Sequence, residues 1–497
     1  MQRYFAFLPL WISACFLLPA IAASQTPSLV KAINPGSEWS FLEDPVNFNG
    51  TLYFGADDGT NGNELWKSNG TEEGTVLTCD INPGSDGSYP DELTVVNGTL
   101  YFPAYNGTTG EELWKLSGTM CSLVRDIASG FNDSEPSQLV NVSGTLLFGA
   151  DDGSSGRELW KSDGTAVGTV QVCDINPGSG SGLGWDTWKR AAVVNGTLFF
   201  AADDGTSGFE LWKSDGTTCS RVEDINPGSG SSDPKELTDV NGTLFFAADD
   251  GAGGTELWNS DGTSLGTTIV CNIGPGSASS DPQHLTNVGG TLFFAADDGT
   301  NGRELWTSNG TACSLVLDIN PGPGSSVADW RGRVCGDGFS MADLAGSAFV
   351  LADDGTHGCE PWISDGTAGG TKLLRDINEG SAESVGSEDF GIVVGNHVYF
   401  SPDDGTLGSE LWKCNGKTCW LVDDIDPGAN GSDPIEFALV GPTLFFGAAT
   451  ATTGDGLWKL APPKVPLVSR SGKIALVLVL AAAAAWAARE EMLPPPA

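Results

Sequence analysis

The chain has 497 residues, with 64 Asp and Glu against 24 Lys and Arg, a formal net charge of −40. That acid excess excludes a nucleic-acid partner, because a phosphate backbone is held by clustered basic side chains. Hydrophobic residues at 40%, with 16 Trp and 23 Phe, exclude global disorder, and 68 Gly, about twice the usual share, indicates a chain rich in turns.

Met1-Gln2-Arg3 leads into the apolar run Tyr4 to Ala23, which ends in small residues and reads as a secretory signal over 1–23. Ile12-Ser13-Ala14-Cys15 within it resembles a lipobox, a lipidated alternative. Leu29 to Ser37 follows as a lone strand closing in Asn-Pro-Gly-Ser.

From there one unit recurs. Its marker is an acidic residue or glycine, then Leu or Pro, then Trp, with the indole at Trp66, Trp114, Trp160, Trp212, Trp258, Trp306, Trp362, Trp412 and Trp458. The mean spacing is about 49 residues, the signature of stacked supersecondary units. Each unit runs from Asn-Gly-Thr through Leu-Phe-Phe-Ala-Ala-Asp-Asp-Gly-Thr and Glu-Leu-Trp-Lys-Ser-Asp-Gly-Thr to Asp-Ile-Asn-Pro-Gly-Ser. In the second copy this predicts strands over Glu92 to Val96, Thr99 to Ala104, Glu112 to Leu116 and Leu123 to Ile127. Asn-Gly and Asp-Gly supply hairpin turns, and Pro-Gly stops the last strand. Four antiparallel strands at this period define a β-propeller blade, so the fold class is all-β, a propeller of about nine blades over 29–460. The ninth copy stops after its third strand, at Leu460, and the lone N-terminal strand can complete it, which hides two sheet edges. An open β-repeat array and two smaller propellers are the alternatives. The longest interval holds an irregular stretch, Val327 to Met341.

Beyond Cys15, ten cysteines remain, an even number in an exported chain, which favours disulfides. Odd copies carry Cys79, Cys173 and Cys271 just before the Asp/Asn-Ile; even copies carry Cys121, Cys219, Cys313 and Cys419 just after Gly-Thr or Lys-Thr. The alternation suggests Cys79–Cys121, Cys173–Cys219 and Cys271–Cys313, with Cys335–Cys359 and Cys414–Cys419 local. A zinc centre needs clustered ligands, and His284, His357 and His397 lie far apart.

The recurrent carboxylates are the candidate metal ligands: Asp57, Asp58 and Glu64; Asp151, Asp152 and Glu158; Asp203, Asp204 and Glu210; Asp249, Asp250 and Glu256; Asp297, Asp298 and Glu304; Asp353, Asp354 and Glu360; Asp403, Asp404 and Glu410. Ca²⁺, the candidate cofactor, takes six to eight oxygens, and a turn with two Asp, a Glu and backbone carbonyls supplies several. The competing reading is that Asp caps the turn through its own backbone. The nine Trp suit packing between blades, with sugar stacking as the alternative. Asn-Gly-Thr at Asn49, Asn97, Asn195, Asn241 and Asn309 matches the glycosylation sequon, though turn formation alone explains it.

A unique ligand site should break the periodicity. The clearest breaks are Trp185, Asp186, Trp188 and Arg190 in one segment and Asp329, Trp330, Arg331 and Arg333 in another, acid and base together beside indoles. Ser/His/Asp sets, a metalloprotease motif and a phosphate-cradling loop are all missing from the sequence.

After Leu460 come a linker over 461–473, an apolar run over 474–488 flanked by Lys473 and Arg489, and a polar tail over 489–497. Val465-Pro466, Ser469 and Gly472 followed by that run resemble the IPTL type of bacterial C-terminal sorting tail, although Arg489 is followed by Glu490-Glu491 in place of a basic cluster. Fifteen apolar residues are short of the roughly 20 of a usual membrane span, so a membrane anchor is one reading of the tail.

The repeat itself resembles the bacterial ELWxxDGT-repeat proteins over roughly Val30 to Leu460. Departures are Tyr105-Asn106 in copy two, Pro361 in copy seven and Asp455-Gly456 in copy nine. The resemblance implies a secreted all-β repeat protein and carries over no catalytic residue. The resulting expectation is an exported propeller acting as a binding or adhesion module, with a surface protein or polysaccharide as partner. A secreted carbohydrate-active hydrolase and a passive surface-layer repeat are the alternatives.

Overall fold

The computed structural model describes residues 25–36, 40, 42–184, 191–327, 335, 341–384 and 391–462. The signal segment, the apolar run 474–488, the tail and the patch of Trp185, Asp186, Trp188, Arg190, Trp330, Arg331 and Arg333 lie outside the described residues. No helix among the described residues is long and apolar enough to cross a membrane.

Nine four-stranded antiparallel sheets follow one another as blades: blade 1 over 43–79, blade 2 over 94–125, blade 3 over 137–173, blade 4 over 191–221, blade 5 over 235–271, blade 6 over 283–317, blade 7 over 341–373, blade 8 over 392–423 and blade 9 over 435–460. Blade 9 supplies three strands, and Ser28–Ala32 joins it as the fourth, pairing Leu29 with Trp458 and Ala32 with Gly456. First strands touch between blades 2 and 3, from blade 4 through to blade 9, and between blades 9 and 1, and shared core layers join blades 1 to 2 and 3 to 4, so the ring is single and closed. Across the closing seam Asn47 Nδ2 donates to the Leu439 carbonyl at 3.2 Å, and Lys459 Nζ to the Gly70 carbonyl at 2.5 Å.

Local chemistry sets the blades. At Asn97-Gly98 both residues have positive φ, 49° and 75°, the geometry a two-residue hairpin turn needs. The second strand, Thr-Leu-Phe-Phe-Ala-Ala-Asp in three copies, is buried at five successive positions instead of alternating, because a blade is covered on both faces. The core therefore consists of layers between blades. One layer joins Phe48, Tyr53 and Leu65 of blade 1 to Leu100, Phe102 and Leu116 of blade 2; another joins Phe54 and Trp66 of blade 1 to Val30, Phe445 and Leu457 of blade 9 across the closure.

Two strand limits differ from the sequence reading. In blade 2 the fourth strand is Met120–Arg125, and Ile127 has left the sheet because its N–H donates to the Glu112 side chain. The first strand begins at Thr94, after Glu92 with its positive φ of 45°.

Candidate functional site

The motif residues have structural work that can be stated one by one. Glu64 is fully buried, and its carboxylate accepts from the N–H groups of Ile81 and Asn82, both at 2.9 Å, and from Ser88 Oγ at 2.6 Å. The corresponding isoleucine N–H is held in the same way by Glu112, Glu158, Glu210, Glu256, Glu304, Glu360 and Glu410. Each Glu thus ties the end of its own blade to the loop that enters the next one. Burial raises these carboxyls, to about 7 for Glu112, Glu158, Glu304 and Glu360, against the opposing pull of their hydrogen bonds.

The aspartates do something else. Asp57 Oδ1 accepts from Gly59 N–H at 2.7 Å, and Asp58 Oδ1 from the N–H groups of Thr60 and Asn61 at 2.9 Å. The same two-plus-one pattern is made by Asp151/Asp152, Asp203/Asp204, Asp249/Asp250, Asp297/Asp298, Asp353/Asp354 and Asp403/Asp404. In blade 2, Asn106 accepts from Thr108 and Thr109 as well as an aspartate does, so the turn needs an acceptor and not a charge. Among the described residues no group of three or more His, Cys, Asp or Glu gathers as a metal ion would require. The Asp pair and the Glu of one motif are engaged on different partners, and a Ca²⁺ reading rests on the turn aspartates alone.

Contacts between blades use the rest of the motif. Lys115, Lys161 and Lys213 each donate from Nζ to the carbonyl of the turn glycine in the next blade, Gly164, Gly216 and Gly262, at 2.6–2.9 Å. The sequon residues Asn97, Asn195 and Asn241 donate from Nδ2 to the next blade's hairpin glycine carbonyl. Trp66, Trp160, Trp362 and Trp412 are buried and the other five half-buried.

Two kinds of seam recur along the outer rim. Disulfides Cys79–Cys121, Cys173–Cys219 and Cys271–Cys313 join blades 1–2, 3–4 and 5–6. Lys31 lies over Trp66, Arg125 over Trp160 and Arg375 over Trp412, joining blades 9–1, 2–3 and 7–8. Cys335–Cys359 and Cys414–Cys419 complete the set, so all ten cysteines beyond Cys15 are paired.

What the repeat does not consume lies at the start of the axial strands. Glu92 N–H donates to Asp44 Oδ2 at 2.6 Å, and Leu139 N–H to Glu92 Oε2 at 2.9 Å, so carboxylates step from blade to blade around the axis. Asp91 and Glu111 of blade 2 sit among them without an ion pair. Crowding by protein, with Glu92, Glu111, Asp44 and Glu43 adding repulsion, pushes Asp91 up to about 7 although it reaches solvent. Glu111 and Glu436 are likewise raised to about 7, first by burial and then by neighbouring acids. The acid run spans blades 9, 1 and 2 and ends at Arg157 of blade 3, which is fully buried and donates to the Glu135 carbonyl and to Ser137 Oγ. On the far side the polarity is balanced, with Asp281 held by both Lys235 at 2.7 Å and Arg303 at 3.2 Å. Sequence reasoning missed this sector. The signal was there in copy two, where Asp91-Glu92 and Glu111-Glu112 break the repeat as doubled acids.

Fold and side chains together define a nine-bladed, disulfide-bonded β-propeller with a one-sided acidic axial sector. No protein-family model matches the chain, and no curated protein does. Among solved structures, the Saccharomyces cerevisiae protein Sqt1 is 12% identical with a TM-score of 0.40, covering 87% of this chain and 100% of that one. A Mycobacterium tuberculosis puromycin-hydrolyzing peptidase is 12% identical with a TM-score of 0.36 over 74% of this chain and 59% of its own. A puromycin hydrolase is 12% identical with a TM-score of 0.37 over 86% and 60%. The chain thus spans about three fifths of the two hydrolases, and these likenesses carry no argument about activity.

Proposed function

We propose that the protein is an exported propeller of the ELWxxDGT-repeat kind that acts as a binding or adhesion module at the cell surface, held there or sorted by its apolar C-terminal tail. The observation that supports binding is the division of labour among its side chains. The repeated Glu, Asp, Lys and Trp are engaged in turns and blade seams, which leaves the axial acids, and the nonrepeating segments that lead into the first strands of blades 4 and 7, for a ligand. Five disulfides support an oxidising destination.

The test is to present the purified propeller to a polysaccharide array and to cell-surface proteins while assaying turnover. Retention without hydrolysis is the expected result. Polysaccharide cleavage abolished by Asp186→Asn or Asp329→Asn would replace this reading with the hydrolase one.

A further inference from the structure

Copy two departs from the repeat in its aromatic residues. Among the described residues three large aromatic side chains are exposed, Tyr89 at 60%, Tyr105 at 38% and Phe131 at 79%, and all three belong to one end of blade 2. The nine motif indoles are buried or half-buried, and Tyr53 and Tyr101 sit in core layers.

Each of the three stands where other copies have a polar residue. Tyr89 follows the serine that the buried glutamate holds, a place taken by Glu135, Asp233, Asp281 and Asp433 in other copies. Tyr105 replaces the first aspartate of the turn, the place of Asp57 and Asp151. Phe131 lies four residues after Ile127, as Ser85, Ser179 and Ser229 lie four after Ile81, Ile175 and Ile225. The backbone does not require these rings. Tyr105 N–H donates to the Ser88 carbonyl at 2.9 Å, and Asp151 makes the same bond to Ser134, also at 2.9 Å.

The fold sets the three places side by side. Tyr105 is bonded to the Ser88–Tyr89 segment on one side and pairs with Glu111 on the other. Ser134 N–H then donates to the Glu111 carbonyl at 3.0 Å, Glu111 N–H donates to Asp133 Oδ1 at 2.7 Å, and Gly110 packs on the Asn132 carbonyl. Four backbone segments at a spacing of about 4.8 Å make a row about 14 Å across, with Tyr89 at one side, Tyr105 within it and Phe131 at the other. Glu111 and Asp133 lie between the second ring and the third.

We propose that this end of blade 2 binds a polysaccharide without anionic groups, its sugar rings stacking on Tyr89, Tyr105 and Phe131 and its hydroxyls donating to Glu111 and Asp133. This rests on the binding-module reading and names the ligand class. An aromatic face is apolar and electron-rich, which suits the C–H face of a sugar ring, while the hydroxyls around that ring need polar partners at its edge. A protein partner fits less well. A stable protein interface covers about 800 Å² on each side with a core depleted of Asp and Glu. Here the exposed rings are confined to one blade end and interleaved with acids. Those acids and the net charge of −40 repel an anionic polymer.

The test is affinity electrophoresis of the disulfide-intact protein through native gels holding hydroxyethyl cellulose, galactomannan, arabinoxylan or dextran, with carboxymethyl cellulose as the anionic counterpart. Retardation by at least one neutral polymer is expected, and none by carboxymethyl cellulose. Tyr89→Ala with Tyr105→Ala, and Phe131→Ala separately, should each weaken binding about tenfold, and Tyr89→Phe with Tyr105→Phe should keep most of it. Met120→Ala with Leu265→Ala removes exposed apolar side chains from the opposite ends of blades 2 and 5 and should change nothing. Indifference to every neutral polymer, equal retardation by carboxymethyl cellulose, or an equal loss in the Met120 and Leu265 variant would overturn the assignment. If a polysaccharide is held equally by the alanine variants, or only a surface protein is held, this proposal falls and the binding-module reading stands. Cleavage of the polymer would overturn that reading instead, with the aromatic variants still deciding this one.

Discussion

Replacing Glu112 by alanine tests whether the repeated glutamate is the internal tie of each blade. Its carboxylate accepts from Ile127 N–H and Ala128 N–H, both at 3.0 Å, and from Ser134 Oγ at 2.6 Å, in a fully buried position. A hydrogen bond to a charged group is worth about 1.5–3 kcal/mol, and a donor left buried and unpaired costs about 1–3. Three such donors share one acceptor, so the losses overlap, and about 3–5 kcal/mol of local stability is expected to go. Global melting is a poor readout for a ring of nine semi-independent blades. Native-state hydrogen exchange is better, because the seven other glutamate ties in the same molecule serve as internal controls. Protection at Ile127 and Ala128 should fall about a hundredfold or more, while Ile175 and Ile225, held by Glu158 and Glu210, keep theirs. Unchanged exchange at Ile127, or equal loss in all blades, would refute the local-tie argument.

Four further outcomes follow from the same geometry. Because burial raises Glu112 to about 7 from an ordinary 4.5, its contribution to stability is fully present below about 4.5 and is lost as pH rises through about 7. Urea midpoints between pH 5 and 8 should therefore fall with rising pH, and Glu112→Gln should flatten that slope; an unchanged slope counts against the titration. Cys79→Ser with Cys121→Ser opens a bridge spanning 42 residues, worth about 4 kcal/mol by loop entropy, and should bring on exchange in the outer strands of blades 1 and 2 first. Deleting 25–36 removes the fourth strand of blade 9 and leaves its third strand as a bare edge; scattering should show an opened or self-associating ring, and a monodisperse ring of unchanged radius would contradict closure by that strand. Chelator should leave the melting temperature unchanged if the turn aspartates serve only their backbone N–H groups, whereas a Ca²⁺-dependent rise would give those turns a metal.

Blade number, ring closure and cysteine pairing were legible because each is a statement about period. Trp spacing counts blades, a missing last strand matched by a lone first one predicts closure, and an odd–even alternation of Cys predicts bridges between neighbours. The role of Glu64 was not legible. Its partners Ile81 and Ser88 lie 17 and 24 residues downstream, beyond any turn motif, and local spacing put the glutamate beside the aspartates as a metal ligand instead. Lys161 and Gly216 were equally hidden, being 55 residues apart and meeting only because consecutive blades stack. In a strict repeat, a contact with the next copy looks the same in sequence as a contact within one copy. The register of the fourth strand failed for a related reason: the Ile that continues the apolar pattern is pulled out of the sheet by a side chain from the preceding strand.

The charge of −40 follows from how the repeat satisfies its backbone. A propeller of this length has many loops whose N–H groups point inward, and here glutamate and aspartate accept them, two or three donors per carboxylate. Such an acid is compensated by N–H dipoles and needs no Lys or Arg, so 24 basic residues suffice beside 64 acidic ones. Donors alone do not set where such an acid titrates, since Glu112 accepts from three and burial still raises it to about 7. Asp354, held by Thr356 and His357, is driven down to about 2 even though burial opposes the shift, whereas Asp91 is driven up to about 7, first by burial and then by the acids it faces. Two aspartates of one chain thus sit about five pKa units apart according to whether burial or donated hydrogen bonds prevail. Donor-rich and donor-poor acids meet at the axis, where Glu43 accepts from Asn63 Nδ2, Asp44 from Glu92 N–H and Glu92 from Leu139 N–H, while Asp91 accepts from none.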